Sequence, residues 1–238
     1  MYGKTSTVRI MEGILLIDKP TRISSFDVIR QLRRRFRELE WGKVKMGHAG
    51  TLDPAASGLL VVALGKATKT LPSLIGADKS YEAGVLLGQK TDTLDVEGSV
   101  IEEKDVSSLT EEMIKQAGQS LLGCHEFAVP LYSAIKVDGK PLYAYARAGK
   151  TPPRIPVKTM CVHELLVQRI EKQQARQLVT IAVSVTKGTY IRTLAEQFGN
   201  QLEAPAMLTS LRRTKVGQFD VKDAVFVDDV TEQSIRPV

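Results

Sequence analysis

An α+β fold around a mixed, mostly antiparallel sheet is what the sequence predicts, and three observations lead there. Strand-like and helix-like segments follow one another without strict βαβ alternation, the order of an α+β chain and not of a doubly wound one. Val179, Ile181, Val183 and Val185 alternate along Leu178 to Thr186, the period of a strand buried on one face. Val28, Ile29, Leu32, Phe36 and Leu39 recur at helical spacing, as do Ile191, Leu194, Phe198 and Leu202, so amphipathic helices cover that sheet.

The elements follow in order. Residues 1–12 read as a polar lead-in. "GILLIDKP" reads as a short strand ending at Pro20. Ser24 and Asp27 have capping-box spacing, so a helix starts there. Its other face carries Arg30, Arg33, Arg34, Arg35 and Arg37, either a solvated face or a phosphate-contacting one. Leu59 to Leu64 is apolar without interruption and reads as a buried strand; "SYEAGVLLG" is another. Thr110 caps a helix running to Leu122, with Glu111 and Glu112 in its first turn and Gly123 just past its end. "PLYAYARAG" suggests a short helix stopped by Gly149. Val157 to Ile170 reads as a strand, and "TYIRTLAEQFGNQL" as a helix. No repeat, low-complexity tract or Pro/Gly-rich linker divides the chain.

The 238 residues suffice for a substantial core, and 43% hydrophobic with 25% charged residues is ordinary for a globular protein. The longest apolar run near the start, Gly13 to Ile17, is too short for a signal peptide or a membrane helix. A cytoplasmic protein with no membrane partner is expected. The net charge is +6, and residues 218–238 alone carry −3, so the rest carries +9. That distribution favours a polyanionic partner. Cys124 and Cys161 have no metal-like or redox spacing and are expected to be buried free thiols. His48, His125 and His163 form no ligand pattern with them, so no metal is expected.

The segment "KMGHAGTLDPAASGLLVVALG" carries the chemistry. It is not a P-loop, because six residues separate Gly58 from Gly65 and Ala67 stands where Ser or Thr must meet magnesium. Gly-x-Ser-x-Gly, HExxH and dinucleotide fingerprints are absent from the sequence. What remains is Asp53, held out of the α region by Pro54. His48 lies five residues before it. Arg192 is a permanent cation able to keep a carboxylate ionised. Tyr190 and Tyr81 supply aromatic faces. One carboxylate, one guanidinium and such faces can hold and attack a flat, extruded base.

Six segments, "GILLIDKPTRISS", "GHAGTLDPAASGLL", "DKSYEAGVLLG", "YSAIKVDGKPLYAYARAG", "KGTYIRTLAEQFG" and "LRRT", occur in the order and rough spacing of the TruB-type tRNA pseudouridine synthases. The chain resembles that family from about Gly13 to Gly217. The resemblance implies the pseudouridine synthase fold, with an RNA-binding cleft. It implies isomerisation of one uridine in the TΨC loop of tRNA, position 55, without metal or cofactor, by a monomer whose partner is the TΨC arm. Carried over by motif, Asp53 is the essential aspartate, Arg192 its paired arginine, and Tyr81 the tyrosine that stacks on the base. His48, Tyr190 and Leu211 line the nucleotide site, and Lys19 and Pro20 support its geometry. Arg33, Arg34, Arg35, Arg212 and Arg213 are the expected phosphate contacts, with Lys66 and Lys69 nearby in sequence.

Two departures stand out. Arg22 occupies a position where the family usually has Gly, and Ser24 one where Thr is frequent, so the turn after Pro20 is expected to differ. The chain also runs only about twenty residues past Gly217, in an acidic segment (218–238), so a catalytic domain over 13–217 without the family's C-terminal RNA-binding PUA domain is expected. Three other functions fit the same residues: an RNA-binding or tRNA-folding module without catalysis, a synthase acting on another RNA, and a hydrolase using Asp53. The last lacks a second catalytic carboxylate nearby.

Overall fold

The computed structural model describes residues 11–237. Most of the expected lead-in, residues 1–10, lies outside them; Met11 is buried in the core. Strand β1 (Gly13–Lys19) stops at Pro20, which has no N–H for a ladder. Helix α1 (Ser25–Glu38) starts with the reciprocal capping box: Asp27 N–H donates to the Ser24 hydroxyl, and Ser24 N–H donates to the Asp27 carboxylate at 2.8 Å. Then come β2 (Met46–His48), β3 (Ser57–Leu64), a 3-10 turn, α2 (Leu71–Gly76) and β4 (Lys79–Leu87). A hairpin of β5 (Gln89–Thr91) and β6 (Val100–Glu103) precedes α3 (Glu111–Ser120). Thr110 caps α3 as expected, accepting from Met113 N–H at 3.2 Å, but the helix stops two residues short of Leu122.

The chain continues through β7 (Gly123–Ala128), β8 (Lys136–Val137), β9 (Lys140–Pro141), α4 (Leu142–Arg147), β10 (Val157–Gln173) and β11 (Arg176–Val185). It ends with α5 (Ile191–Asn200), β12 (Ala206–Val216), β13 (Phe219–Asp220) and β14 (Ile235–Arg236). Strand β12 was not expected. The architecture is α+β with a mixed, mostly antiparallel sheet.

These elements form two compact units. The first takes the chain up to Lys79 and again from Arg212; the second is Ser80–Leu211. In the first, the strand order is β14-β1-β3-β12, with β2 on β3 and β13 on β12. Strands β1 and β3 are antiparallel from Gly13↔Leu64 to Lys19↔Gly58, whereas β12 meets β3 in parallel at Arg213↔Gly58. Period-2 alternation sorts the side chains into two layers. Leu15, Ile17, Leu60 and Val62 pack with Val28, Leu32 and Phe36 of α1; Ile14, Leu16, Leu59 and Val61 form the other layer. The acidic stretch after Gly217 belongs to this unit, since Val227 and Val230 join the α1 layer.

In the second unit the order is β12-β4-β11-β10-β7. Val179, Ile181, Val183 and Val185 are all buried, and Ile114 of α3 and Leu194 and Phe198 of α5 pack with them. Here the cysteine expectation is corrected. Cys124 of β7 and Cys161 of β10 are direct antiparallel partners with Cα atoms 4.0 Å apart, and they form a disulfide. Neither is buried: Cys124 is exposed and Cys161 partly so. Their separation of 37 residues carries no register, so linear spacing hid the pair.

Candidate active site

Asp53 lies on the loop between β2 and β3, and the loop is pinned on both sides of it. Leu52 N–H donates to the Ser25 hydroxyl at 2.8 Å, and that hydroxyl donates to Leu52 C=O at 3.1 Å. Arg22 N–H donates to Pro54 C=O at 2.7 Å, and Ala56 N–H to Asp53 C=O at 3.0 Å. Leu52 and Ala56 are buried while Asp53 is exposed. A short rigid arch thus presents one carboxylate to solvent. Arg22 holds φ at 69°, so the turn keeps the left-handed conformation that favours glycine although arginine occupies it.

The arch closes on Arg213. This side chain is 1% exposed. Its Nε donates to Leu59 C=O at 2.8 Å and its Nη2 to Gly50 C=O at 3.1 Å, so one guanidinium joins the two ends of the Asp53 loop. Gly58 must be glycine here: its φ is +99°, and a Cβ would collide with the Arg213 backbone. Arg213 is therefore corrected from an expected surface phosphate contact to a buried clamp.

Lys19 is fully buried, its Nζ donating to Pro20 C=O at 2.9 Å and Ile23 C=O at 2.7 Å. Burial lowers its pKa to about 8; the Asp53 carboxylate acts to raise it and Arg213 to lower it further. The ammonium at neutral pH therefore faces a field to which Asp53 contributes. Burial, and next the Arg213 charge, holds His48 below the ordinary histidine range, so its imidazole is neutral at pH 7. Asp53, His48, Lys19 and Arg213 form one electrostatic group in the first unit.

The second unit carries the other expected residues. Arg192, in the first turn of α5, is 8% exposed. It donates to Thr93 C=O at 3.2 Å and to Tyr132 C=O at 3.0 Å, and Asp95 lies 3.5 Å from its Nη1. Asp95 is itself fixed by the Thr93 hydroxyl at 2.6 Å and Glu97 N–H at 3.1 Å. Tyr81 of β4 and Leu211 of β12 are half-buried against the same core cluster; Tyr190, at the N-cap of α5, packs on the smaller cluster of Val129, Val137, Leu142 and Met160. Asp95, Thr93 and Tyr132 were missed by sequence reasoning. The run "TDTLDVEG" held the one available signal, a dense set of turn-forming Thr and Asp residues.

The expected phosphate contacts separate further. Arg34 is engaged by Glu38 at 2.9 Å, and Arg35 lies 3.9 Å from the same carboxylate. Arg212 grips Asp18 with two bonds of 3.0 and 2.6 Å. Arg33 is exposed.

The family model for TruB family pseudouridylate synthase, N-terminal domain, matches residues 34–191. The chain belongs to the TruB family. It is 44% identical over 220 residues to tRNA pseudouridine synthase B of Ralstonia pickettii (strain 12J), covering 92% of this chain and 67% of that one. It is 45% identical over 217 residues to the protein of the same name from Aromatoleum aromaticum, covering 91% and 67%. Among solved structures, a Cbf5-Nop10-Gar1 complex matches with a TM-score of 0.70 at 27% identity, over 96% of this chain and 60% of that chain. An H/ACA RNP bound to a substrate RNA containing 2'-deoxyuridine matches with a TM-score of 0.64 at 26% identity, over 92% and 52%. The TruB-family chain thus spans about two thirds of these curated relatives and little more than half of those solved chains. No helix among the described residues is long and apolar enough to cross a membrane.

Proposed function

We propose that this chain converts uridine to pseudouridine at position 55, in the TΨC loop of tRNA, in the cytoplasm. The observation that carries the reading is the Asp53 arch: an exposed carboxylate on a backbone pinned at Leu52, Pro54 and Gly50, whose charge acts on the buried Lys19. Pinning matters because the reaction needs a fixed approach to one sugar carbon.

The isomerisation breaks N1–C1′, turns the uracil, and forms C5–C1′; a proton leaves C5 and one is gained at nitrogen, so mass is unchanged. Two routes are open to Asp53. Its carboxylate attacks C1′ and holds the sugar covalently, or it removes a sugar proton to expel the base. The detached uracil needs a face to rest on, which is the role of Tyr81, with Leu211 and Tyr190 as apolar walls. A neutral His48 adds a polar edge without adding charge. Arg192 is the cation assigned to keep the carboxylate ionised. A base within a folded loop must be extruded first, and phosphate and shape contacts then position the RNA.

The test is incubation of unmodified tRNA with the purified protein, followed by carbodiimide mapping of pseudouridine. A single modified position in the TΨC loop is expected, and Asp53→Asn should abolish it while retaining tRNA binding and the melting temperature. Release of free uracil, or turnover in Asp53→Asn near that of the unmodified protein, would overturn the reading.

A further inference from the structure

In the first unit, α1 and the segment leading into β2 line a cavity of about 560 Å³. Arg30, Arg33 and Arg37 reach it from the helix and Lys43 from the segment, with Phe36 and Met46 as apolar lining. No acidic residue lines it. Arg30 is paired with Asp27. Among the described residues Arg33, Arg37 and Lys43 have no ion-pair partner, unlike Arg34 and Arg35 on the same helix. Arg33 and Arg37 stand one helical turn apart, where like charges repel. A concave site that gathers unopposed cations is built for an anion, and paired guanidinium forks suit phosphate oxygens.

Its place in the fold indicates which anion. Met46 opens β2, and His48 closes it two residues later on the same face. At a rise of about 3.4 Å per residue the two are about 7 Å apart, close enough for one RNA strand to engage both. We infer that this cavity binds phosphodiester groups of the substrate RNA, as an anchoring site beside the one that takes the uridine. The inference rests on the tRNA reading above. The remaining lining fits it: partly exposed Val44 and Met46 offer apolar surface to a ribose or base edge, while the cations take the backbone.

The test measures tRNA affinity across a salt series for the unmodified protein, for Arg33→Gln/Arg37→Gln, for Lys43→Gln, and for Lys115→Gln on α3, which removes one charge as Lys43→Gln does and serves as its control. The double variant should bind about tenfold more weakly, raise KM in step, and flatten the slope of log affinity against log salt by about 1.5. Lys43→Gln should act in the same direction by about half, and Lys115→Gln should do neither. Tripolyphosphate should displace tRNA from the unmodified protein. Equal loss in Lys115→Gln, or unchanged affinity and slope in a double variant with a normal melting curve, would overturn the inference. Tight tripolyphosphate binding with tRNA affinity untouched by the pocket variants would do so too, by assigning the cavity to a free polyphosphate. Affinity is read apart from product. Absence of pseudouridine with pocket-dependent tRNA binding would defeat the functional reading alone.

Discussion

Replacing Arg213 separates a clamp from a mere charge. Its two hydrogen bonds reach backbone carbonyls at opposite ends of the Asp53 loop. Hydrogen bonds from a charged group contribute about 1.5–3 kcal/mol each, and carbonyls left buried without a donor add to the loss. Arg213→Gln should therefore destabilise by about 3–5 kcal/mol. At roughly 2–4 °C per kcal/mol for a chain of this size, the melting temperature should fall by about 6–20 °C. Arg213→Lys keeps the charge and loses the fork, so it should fall between the two. Nuclear magnetic resonance titration of the His48 ring supplies the second readout. Burial is the main reason His48 resists protonation and Arg213 the next, so His48 should titrate at higher pH in Arg213→Gln and stay low in Arg213→Lys. The sign for stability follows. The folded value lies below the unfolded one, so stability is full above the ordinary histidine range and declines as pH falls through it. That decline should be shallower in Arg213→Gln. A glutamine variant that melts within a degree or two of the unmodified protein, with His48 unmoved, would refute the clamp.

Three further outcomes are expected. Arg192→Lys should lower pseudouridine formation at least about a hundredfold, because a single nitrogen lacks the planar fork whose separate Nη1 and Nη2 reach the Thr93 and Tyr132 carbonyls; single-turnover assays measure it, and full activity with lysine would reduce the contact to a point charge. Arg22→Gly should raise stability by about 1 kcal/mol, by relieving a left-handed arginine; a denaturant midpoint at or below that of the unmodified protein would count against strain at this turn. Cys124→Ser/Cys161→Ser should cost about 2–4 kcal/mol, the worth of closing a loop of this length, and a reductant should lower the melting temperature of the unmodified chain similarly but leave the double serine variant unchanged.

What the sequence disclosed depended on the range of the cause. The α1 cap was legible because Ser24 and Asp27 are three residues apart. Strand β11 was legible because its alternation is local. Strand β12 was not, since "AMLTSLRRTKV" interrupts its apolar positions with two arginines. Arg213 shows why that misleads: in sequence a buried cation is indistinguishable from a surface one, and its carbonyl partners lie 154 and 163 residues away. The same holds for Arg192, whose partners are 99 and 60 residues distant. Asp53 alone reads equally as a turn residue before Pro54 and stood out through the motif around it, whereas the buried, carbonyl-bound state of Lys19 and Arg213 emerged only with the fold.

The division of the chain has a consequence for its synthesis. The Asp53 arch is translated early, yet Arg213, which closes it, follows Ser80–Leu211. Until then the arch lacks its clamp, and Gly50 and Leu59 carbonyls turn to water. Bringing Lys79 and Arg212 together across so long a coil costs roughly 4 kcal/mol in chain entropy. The second unit removes most of that cost if it condenses first, because its own ends lie on the neighbouring strands β4 and β12. On that order, the second unit forms up to Leu211 while the catalytic loop still waits for Arg213, and the chain would mature from its middle outward.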